Sequence, residues 1–245
     1  MFSMFRVSSQ PVWILLAAAA AAIFPGFLAG AGDQDEVCNR LRAGEVIVSF
    51  NEAGRGPLKR GEVMGVINAP PETVWRVITD FNNYRYFMPR TLNSMVVAAD
   101  KLPQILQRKP DSPEAVEQML GGAPADHAGS RLPGGKSISY LYSHLDFPWP
   151  CQNRWYIIKL EQDETRAAAQ FYHLSWTLAL GNLRENRGEW ILEPFDATHT
   201  KVTYRLLTDP GGKIPKFLIN QGTCSTLPQI IAAVKNRAEV LYGRK

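Results

Sequence analysis

The stretch Ser143 to Leu160, SHLDFPWPCQNRWYIIKL, sets two prolines around a tryptophan, then a cysteine, then an arginine at the start of an apolar run. Proline cannot donate to a β-ladder, so Pro148 and Pro150 mark the place where one strand ends and the next begins. From Arg154 the side chains alternate. Arg154, Tyr156, Ile158 and Leu160 share one face, and Trp155, Ile157 and Lys159 share the other. Lys159 belongs in water, which turns the arginine row inward. A buried guanidinium needs a carboxylate, backbone carbonyls or a ligand head group. A glutamate or aspartate elsewhere in the sheet is the default partner.

Strand-like segments flank this one on both sides. Lys136 to Phe147, Asn153 to Gln162, Arg166 to Leu180 and Arg187 to Leu207 alternate or run apolar, the last as a hairpin turning at Asp196-Ala197-Thr198. Upstream, Gly44 to Phe50 and Glu62 to Asn68 read as two short strands around Gly54-Arg55-Gly56-Pro57, and Thr91 to Ala98 as another. Between them a helix opens at Ala69-Pro70-Pro71-Glu72, with Val74, Val77, Ile78 and Phe81 at helical spacing. Downstream, Asp209-Pro210-Gly211-Gly212 stops the last strand. Ile214 to Tyr242 then reads as a helix, with a break expected near Gly222 and an apolar stripe of Leu227, Ile230, Ile231, Val234, Ala238 and Leu241. Strands, a helix, strands and a long terminal helix predict an α+β fold with a curved antiparallel sheet. Residues 102–133 hold Pro103, Pro110, Pro113, Pro124 and Pro133 with Gly121-Gly122, and read as a loop insertion with one short helix from Pro113 to Leu120.

Of 245 residues, 45% are hydrophobic and 20% charged, enough apolar material for a core of its own in one domain once the N-terminus is set aside. The net charge of +4 is carried by scattered basic residues that do not alternate with aromatics, so nucleic acid is not an expected partner. Arg6, the apolar and alanine-rich run from Pro11 to Ala22, and Ala29-Gly30-Ala31 have the order of a secretory signal, residues 1–31, cleaved after Ala31. The expected location is periplasmic or secreted; an uncleaved membrane anchor over residues 11–31 is the alternative. Residues 32–43 then read as a linker and 44–245 as the domain. Cys38, Cys151 and Cys224 form no metal spacing, and which of them pair stays open.

Three stretches resemble one family. INAPPETVWRVITDFNNYRYFMP is similar to the first helical region of the START-like, or SRPBCC, helix-grip superfamily. FPWPCQNRWYIIKL resembles the W-P-x-x-x-R-D segment of bacterial START lipid-transfer domains, with Trp155 where the family has aspartate. TDPGGKIPKFLINQ is similar to the segment that opens their C-terminal helix. The resemblance spans about Gly44 to Tyr242. It implies a helix-grip fold, in which the curved sheet wraps the long C-terminal helix over a hydrophobic cavity. It also implies a non-enzymatic carrier of a lipid or other hydrophobic small molecule, with transient contact to a membrane surface, no cofactor and a monomeric state. The residues expected at the ligand are Arg154, Tyr156, Ile158, Tyr172, Leu174, Trp176, Leu178, Trp190 and Leu192, with Phe217, Leu218 and Gln221 on the helix.

Catalytic signatures are scarce. His127, His144, His173 and His199 form no H-E-x-x-H, and no G-x-S-x-G occurs. Tyr142, His144 and Asp146 lie two apart on a strand and share a face, the one constellation with acid–base potential. Polyketide cyclases of the same superfamily use such cavities, so a cyclase or dehydratase is the alternative function. The default expectation for this row is that it faces solvent.

Overall fold

The computed structural model describes residues 31–52, 59–122, 125, 130–132, 134–147, 152–212, 214 and 216–243. The signal-like segment, Cys151 and the two strand-breaking prolines lie outside them.

Nine strands among the described residues form one antiparallel sheet: β1 (Ile47–Glu52), β2 (Lys59–Ile67), β3 (Thr91–Val96), β4 (Ser130–Leu132), β5 (Lys136–Leu145), β6 (Arg154–Asp163), β7 (Tyr172–Gly181), β8 (Glu185–Pro194) and β9 (Thr200–Asp209). The order is β1-β2-β9-β8-β7-β6-β5-β3, with β4 pairing the far end of β5. The fold is α+β, a curved antiparallel sheet with a long C-terminal helix, as the alternation and the terminal apolar stripe predict. The β8–β9 hairpin turns where expected, because the Asp196 carboxylate accepts from the backbone N–H of Thr198 at 2.8 Å and of His199 at 2.9 Å. Strand β7 starts later than its sequence suggests. A short 3-10 turn over Ala167–Ala169, closed by Gln170 at φ 55, takes up residues that had read as strand.

Helix α2 (Pro71–Ile78) begins with proline in its first turn and Glu72 at its positive end, and buries Val74, Trp75, Val77 and Ile78. The C-terminal helix α5 (Lys216–Gly243) is uninterrupted at Gly222, contrary to the expected break. The Thr226 and Ser225 hydroxyls donate to the Gly222 carbonyl at 2.8 and 3.0 Å. Downstream, Leu227, Ile231, Val234 and Ala238 are almost wholly buried, so packing outweighs the low helix propensity of one glycine. The packing is close because β2 carries glycine where the helix crosses it. A Cβ on Gly61 would sit 2.7 Å from Leu227 Cδ1, and one on Gly65 would sit 3.0 Å from Ile231 Cγ2.

Two readings are corrected. The stretch read as a linker is helical in α1 (Ala31–Arg42), with Arg40 and Arg42 at its negative end and Leu41 buried. The insertion is more than a loop with one helix: the helix expected from Pro113 to Leu120 is there as α4 (Pro113–Leu120), and α3 (Leu102–Arg108) and β4 lie within it as well. Pro103 suggested irregular chain, but like Pro113 it occupies a first helical turn, where its missing N–H costs nothing. Ser112 Oγ caps α4 by accepting from Ala115 N at 3.2 Å, and Gly121 ends it at φ 72.

The two helices create a second core. The main one lies between α2, α5 and the concave face of the sheet. The second holds Ile105, Val116 and Leu120 of the insertion against Met95, Tyr142, Trp155 and Ile157 on the outer face. Trp155 Nε1 is buried there without a hydrogen-bond partner among the described residues.

Candidate functional site: a cavity between the sheet and the C-terminal helix

Strand alternation decides what faces α5. On β6, Tyr156, Ile158 and Leu160 line a cavity of about 570 Å³, while Trp155 and Ile157 lie beneath the insertion. The registers Ser143↔Tyr156 and Leu141↔Ile158 place Leu141, Ser143 and Leu145 of β5 on the same concave face. Leu174 and Trp176 come from β7, Asn186 and Trp190 from β8, and Tyr204, Leu206 and Thr208 from β9. Helix α5 closes the space with Ile219, Thr223, Thr226 and Ile230, and the segment before β3 adds Tyr84, Met88, Pro89 and Arg90. Exposed Arg90, Gly222 and Ser225 mark its solvent-facing side. The volume falls within the range of small-molecule sites, about 300–1,000 Å³.

Aromatic rings give the cavity its floor. Tyr204 stacks on Trp176 with centroids 5.5 Å apart and meets Trp190 at 4.4 Å. Trp176 lies flat over the strand beside it, because its cross-strand partner is Gly188, where a Cβ would come within 2.3 Å of the indole.

The polar groups lining the cavity are neutral, apart from Arg90. Trp176 Nε1 donates to Asn186 Oδ1 at 3.0 Å. Tyr156, its cross-strand partner Ser143 and Asn186 all line the cavity. The Tyr84 hydroxyl donates to the Ile78 carbonyl. Burial pushes the hydroxyl pKa of Tyr84, Tyr156 and Tyr204 upward, for Tyr156 against the opposing influence of Ser143 and Asn186, so all three stay protonated at neutral pH. Among the described lining residues there is no carboxylate, histidine or cysteine.

Of the residues expected at the ligand, Tyr156, Ile158, Leu174, Trp176 and Trp190 line the cavity. Four others do not. Tyr172 stacks on Trp75 at 5.2 Å in the main core, and Leu192 is wholly buried there. Leu178 pairs with Ile158 where the β6–β7 register shifts. Arg154 has no carboxylate within ion-pair reach among the described residues; it donates to backbone carbonyls, from Nε to Pro210 at 2.9 Å and from Nη1 to Gln152 at 2.7 Å and Asn153 at 3.4 Å. It therefore ties the start of β6 to the turn that precedes α5. The side chains of Phe217, Leu218 and Gln221 lie outside the described residues.

The row Tyr142, His144, Asp146 faces neither the cavity nor, in its buried part, the solvent. Tyr142 is wholly buried beneath α4 and donates to Glu117 Oε1 at 3.0 Å; His144 Nδ1 lies 3.8 Å from the same oxygen, and Asp146 is exposed. The expectation of a solvent-facing row fails because α3 and the expected helix α4 pack over that face. The sequence signal for the β5 lining was present: Leu141, Ser143 and Leu145 are the opposite parity of the same strand.

A second cavity, about 560 Å³, lies among Thr79, Val96, Ser137, Ser139, Gln162 and Glu164. Its polar groups bond within the protein: Gln162 Nε2 donates to Ser139 Oγ at 3.3 Å, and Trp75 Nε1 donates to Glu164 Oε1 at 2.9 Å.

Known proteins share this fold. A STAR-related lipid transfer protein from Xanthomonas axonopodis superposes with a TM-score of 0.57 at 19% identity, covering 79% of this chain and 93% of that one. Human StAR-related lipid transfer protein 5 superposes with a TM-score of 0.57 at 11% identity, covering 80% and 83%. At these identities the likeness shows the fold. An uncharacterized protein of Pseudomonas aeruginosa is 30% identical over 108 residues, 41% of this chain, so the chain spans about half, 54%, of the length of that curated relative. The family described as polyketide cyclase / dehydrase and lipid transport matches residues 67–235, more than half of the sequence, and the chain belongs to that START-like family.

Proposed function

We propose that this protein is a non-enzymatic carrier that holds a lipid or other hydrophobic small molecule between its sheet and its C-terminal helix. The observation that carries this reading is the cavity itself: apolar and aromatic walls, neutral hydroxyl and amide groups, and no carboxylate, histidine or cysteine among the described lining residues. A cyclase working through Tyr142, His144 and Asp146 is the other reading within the family, and the placement of that row on the outer face weighs against it. Full-length protein purified under native conditions and extracted with organic solvent should yield a hydrophobic molecule at close to one per chain. An empty extract, together with no uptake of a neutral hydrophobic fluorophore, overturns the reading.

Two further parts of the reading concern where the carrier works. Export rests on the signal-like order of residues 1–31. Protein recovered from expressing bacteria should begin near Gly32; an intact Met1 in the soluble cytoplasmic fraction rejects export. Exchange at an anionic bilayer surface is supported by Tyr86 and Leu92, 66% and 50% exposed, which flank the cavity-lining residues 88–91. Beside them Arg85, which lies over the Tyr86 ring, and Arg90 are exposed and form no ion pair among the described residues, which suits anionic lipid. Sedimentation with vesicles containing phosphatidylglycerol should pull the protein down, and the double charge reversal R85E/R90E should release it. Equal sedimentation of both proteins rejects this surface.

A further inference from the structure

The carrier reading leaves the ligand's chemistry open, and the inference drawn here rests on that reading and narrows it. We infer that the ligand is uncharged inside the cavity and presents a hydrogen-bond acceptor, a carbonyl, ether or hydroxyl oxygen, to the donors that Asn186, Tyr156 and Ser143 place on the cavity wall, Asn186 being oriented by Trp176.

The available donors follow from Trp176. An indole N–H can only donate, so the contact at 3.0 Å makes Asn186 Oδ1 an acceptor and leaves its amide nitrogen as the donor. Ser143, 3% exposed, stands directly opposite Tyr156 in the β5–β6 register, and each of the two hydroxyls has a proton to give. Asn186, Tyr156 and Ser143 all line the cavity, so the group that meets them there is an acceptor on the ligand.

A carboxylate or phosphate would also accept, but it would lack a counter-charge. The Arg154 guanidinium is not among the lining residues, and its Nε and Nη1 donate to the carbonyls of Pro210, Gln152 and Asn153. Arg90, the one charged side chain among the described lining residues, lies on the exposed side. An anion drawn inside would exchange its hydration for aromatic rings and neutral hydroxyls, at a large desolvation cost. The same environment already disfavours the anionic form of Tyr84, Tyr156 and Tyr204.

Three probes that differ in one end group separate these possibilities: methyl tetradecanoate, tetradecanoate and tetradecane. Each is titrated at pH 8 against the full chain loaded with the neutral fluorophore N-phenyl-1-naphthylamine. The ester should displace the fluorophore at a concentration at least tenfold below that of the carboxylate, and several-fold below that of the alkane. In the double variant S143A/Y156F the advantage of ester over alkane should fall by about fivefold, the worth of one neutral hydrogen bond, with the alkane unchanged. A second reading needs no variant: the infrared carbonyl band of the bound ester should lie below its position in alkane solvent. A carboxylate that binds as tightly as the ester, or an unshifted carbonyl band, overturns the inference. Failure of the fluorophore and all three probes to bind overturns the carrier reading itself, and this inference with it.

Discussion

The two faces of strand β6 sit in cores of different kinds. On the outer face, Trp155 and Ile157 pack against Ile105, Val116 and Leu120 of the insertion. On the concave face, Tyr156, Ile158 and Leu160 look across about 570 Å³ of open space toward α5. Neighbouring residues on one strand thus do different work, one set holding the sheet rigid and the other lining a cavity. The difference comes from the shape of what covers each face. Two short helices can follow a convex surface closely, whereas one long helix leaves part of the hollow of a curved sheet unfilled. The face packed by the insertion supplies stability, and the face left unfilled supplies the site.

Adjacent isoleucines offer the sharpest way to break this comparison. Ile157 is wholly buried in the outer core, so Ile157→Ala should cost about 3–4 kcal/mol of stability in urea denaturation. Ile158→Ala borders space that is already open and should cost about 2 kcal/mol or less while changing hydrophobic-ligand affinity. Equal losses would mean that the concave face is packed as tightly as the outer one.

Arg154 comes next. Its carbonyl partners join β6 to the turn before α5, so Arg154→Leu leaves buried acceptors without donors and should cost about 3 kcal/mol. Ligand affinity of the folded fraction should stay within about twofold. Lost binding at an unchanged melting temperature would instead make Arg154 a ligand contact.

The outer face over β2, β9, β8 and β7 carries a charge cluster. Arg205 donates to Glu62 and, at 2.9 Å, to Glu189, which also meets His173 Nε2 at 2.9 Å. The bond to His173, followed by Arg205, holds the Glu189 carboxyl down to about 2 from its ordinary 4.5, against a desolvation that raises it. A carboxyl depressed in the folded state contributes stability that is complete above pH 4.5 and is lost as the pH falls toward 2. On the order of 2–3 kcal/mol should disappear across that window. Glu189→Gln should flatten the slope of stability against pH there, as followed by urea denaturation at stepped pH; an unchanged slope would place the acid sensitivity elsewhere.

The smallest effect belongs to the cluster beneath α4. His144 approaches Glu117 only to 3.8 Å, so His144→Ala should change stability by about 1 kcal/mol or less. Ligand affinity, measured by fluorophore displacement, should be unchanged, because His144 lies on the face away from the cavity. A loss of binding, or a loss of turnover of any substrate, would return the cyclase reading to first place.

Local pattern was enough for the elements that repeat. The period of two on β6 and β7 placed Tyr156, Ile158, Leu174 and Trp176 on one face, and the 3.6-residue stripe from Leu227 to Leu241 identified the face of α5 that meets the sheet. Both signals are local and survive because each element buries one side. The alternation of Tyr142, His144 and Asp146 was equally clear, yet it could not say what covers that side. The answer lay in α3, whose Pro103 read as loop, and in where α3 and the expected helix α4 pack.

What the sequence alone determined was the α+β order, the strand faces and the membership that three short motifs carry. What only the tertiary structure decided was what each face meets. Strand β6 turns Trp155 to a helix pair and Tyr156 to open space, and Arg154 finds carbonyls 2 and 56 residues away in the chain rather than a carboxylate. Periodicity fixes a side chain's direction relative to its own backbone. Its partner depends on which distant segments the fold brings opposite, and on whether their curvature lets them fill the space between.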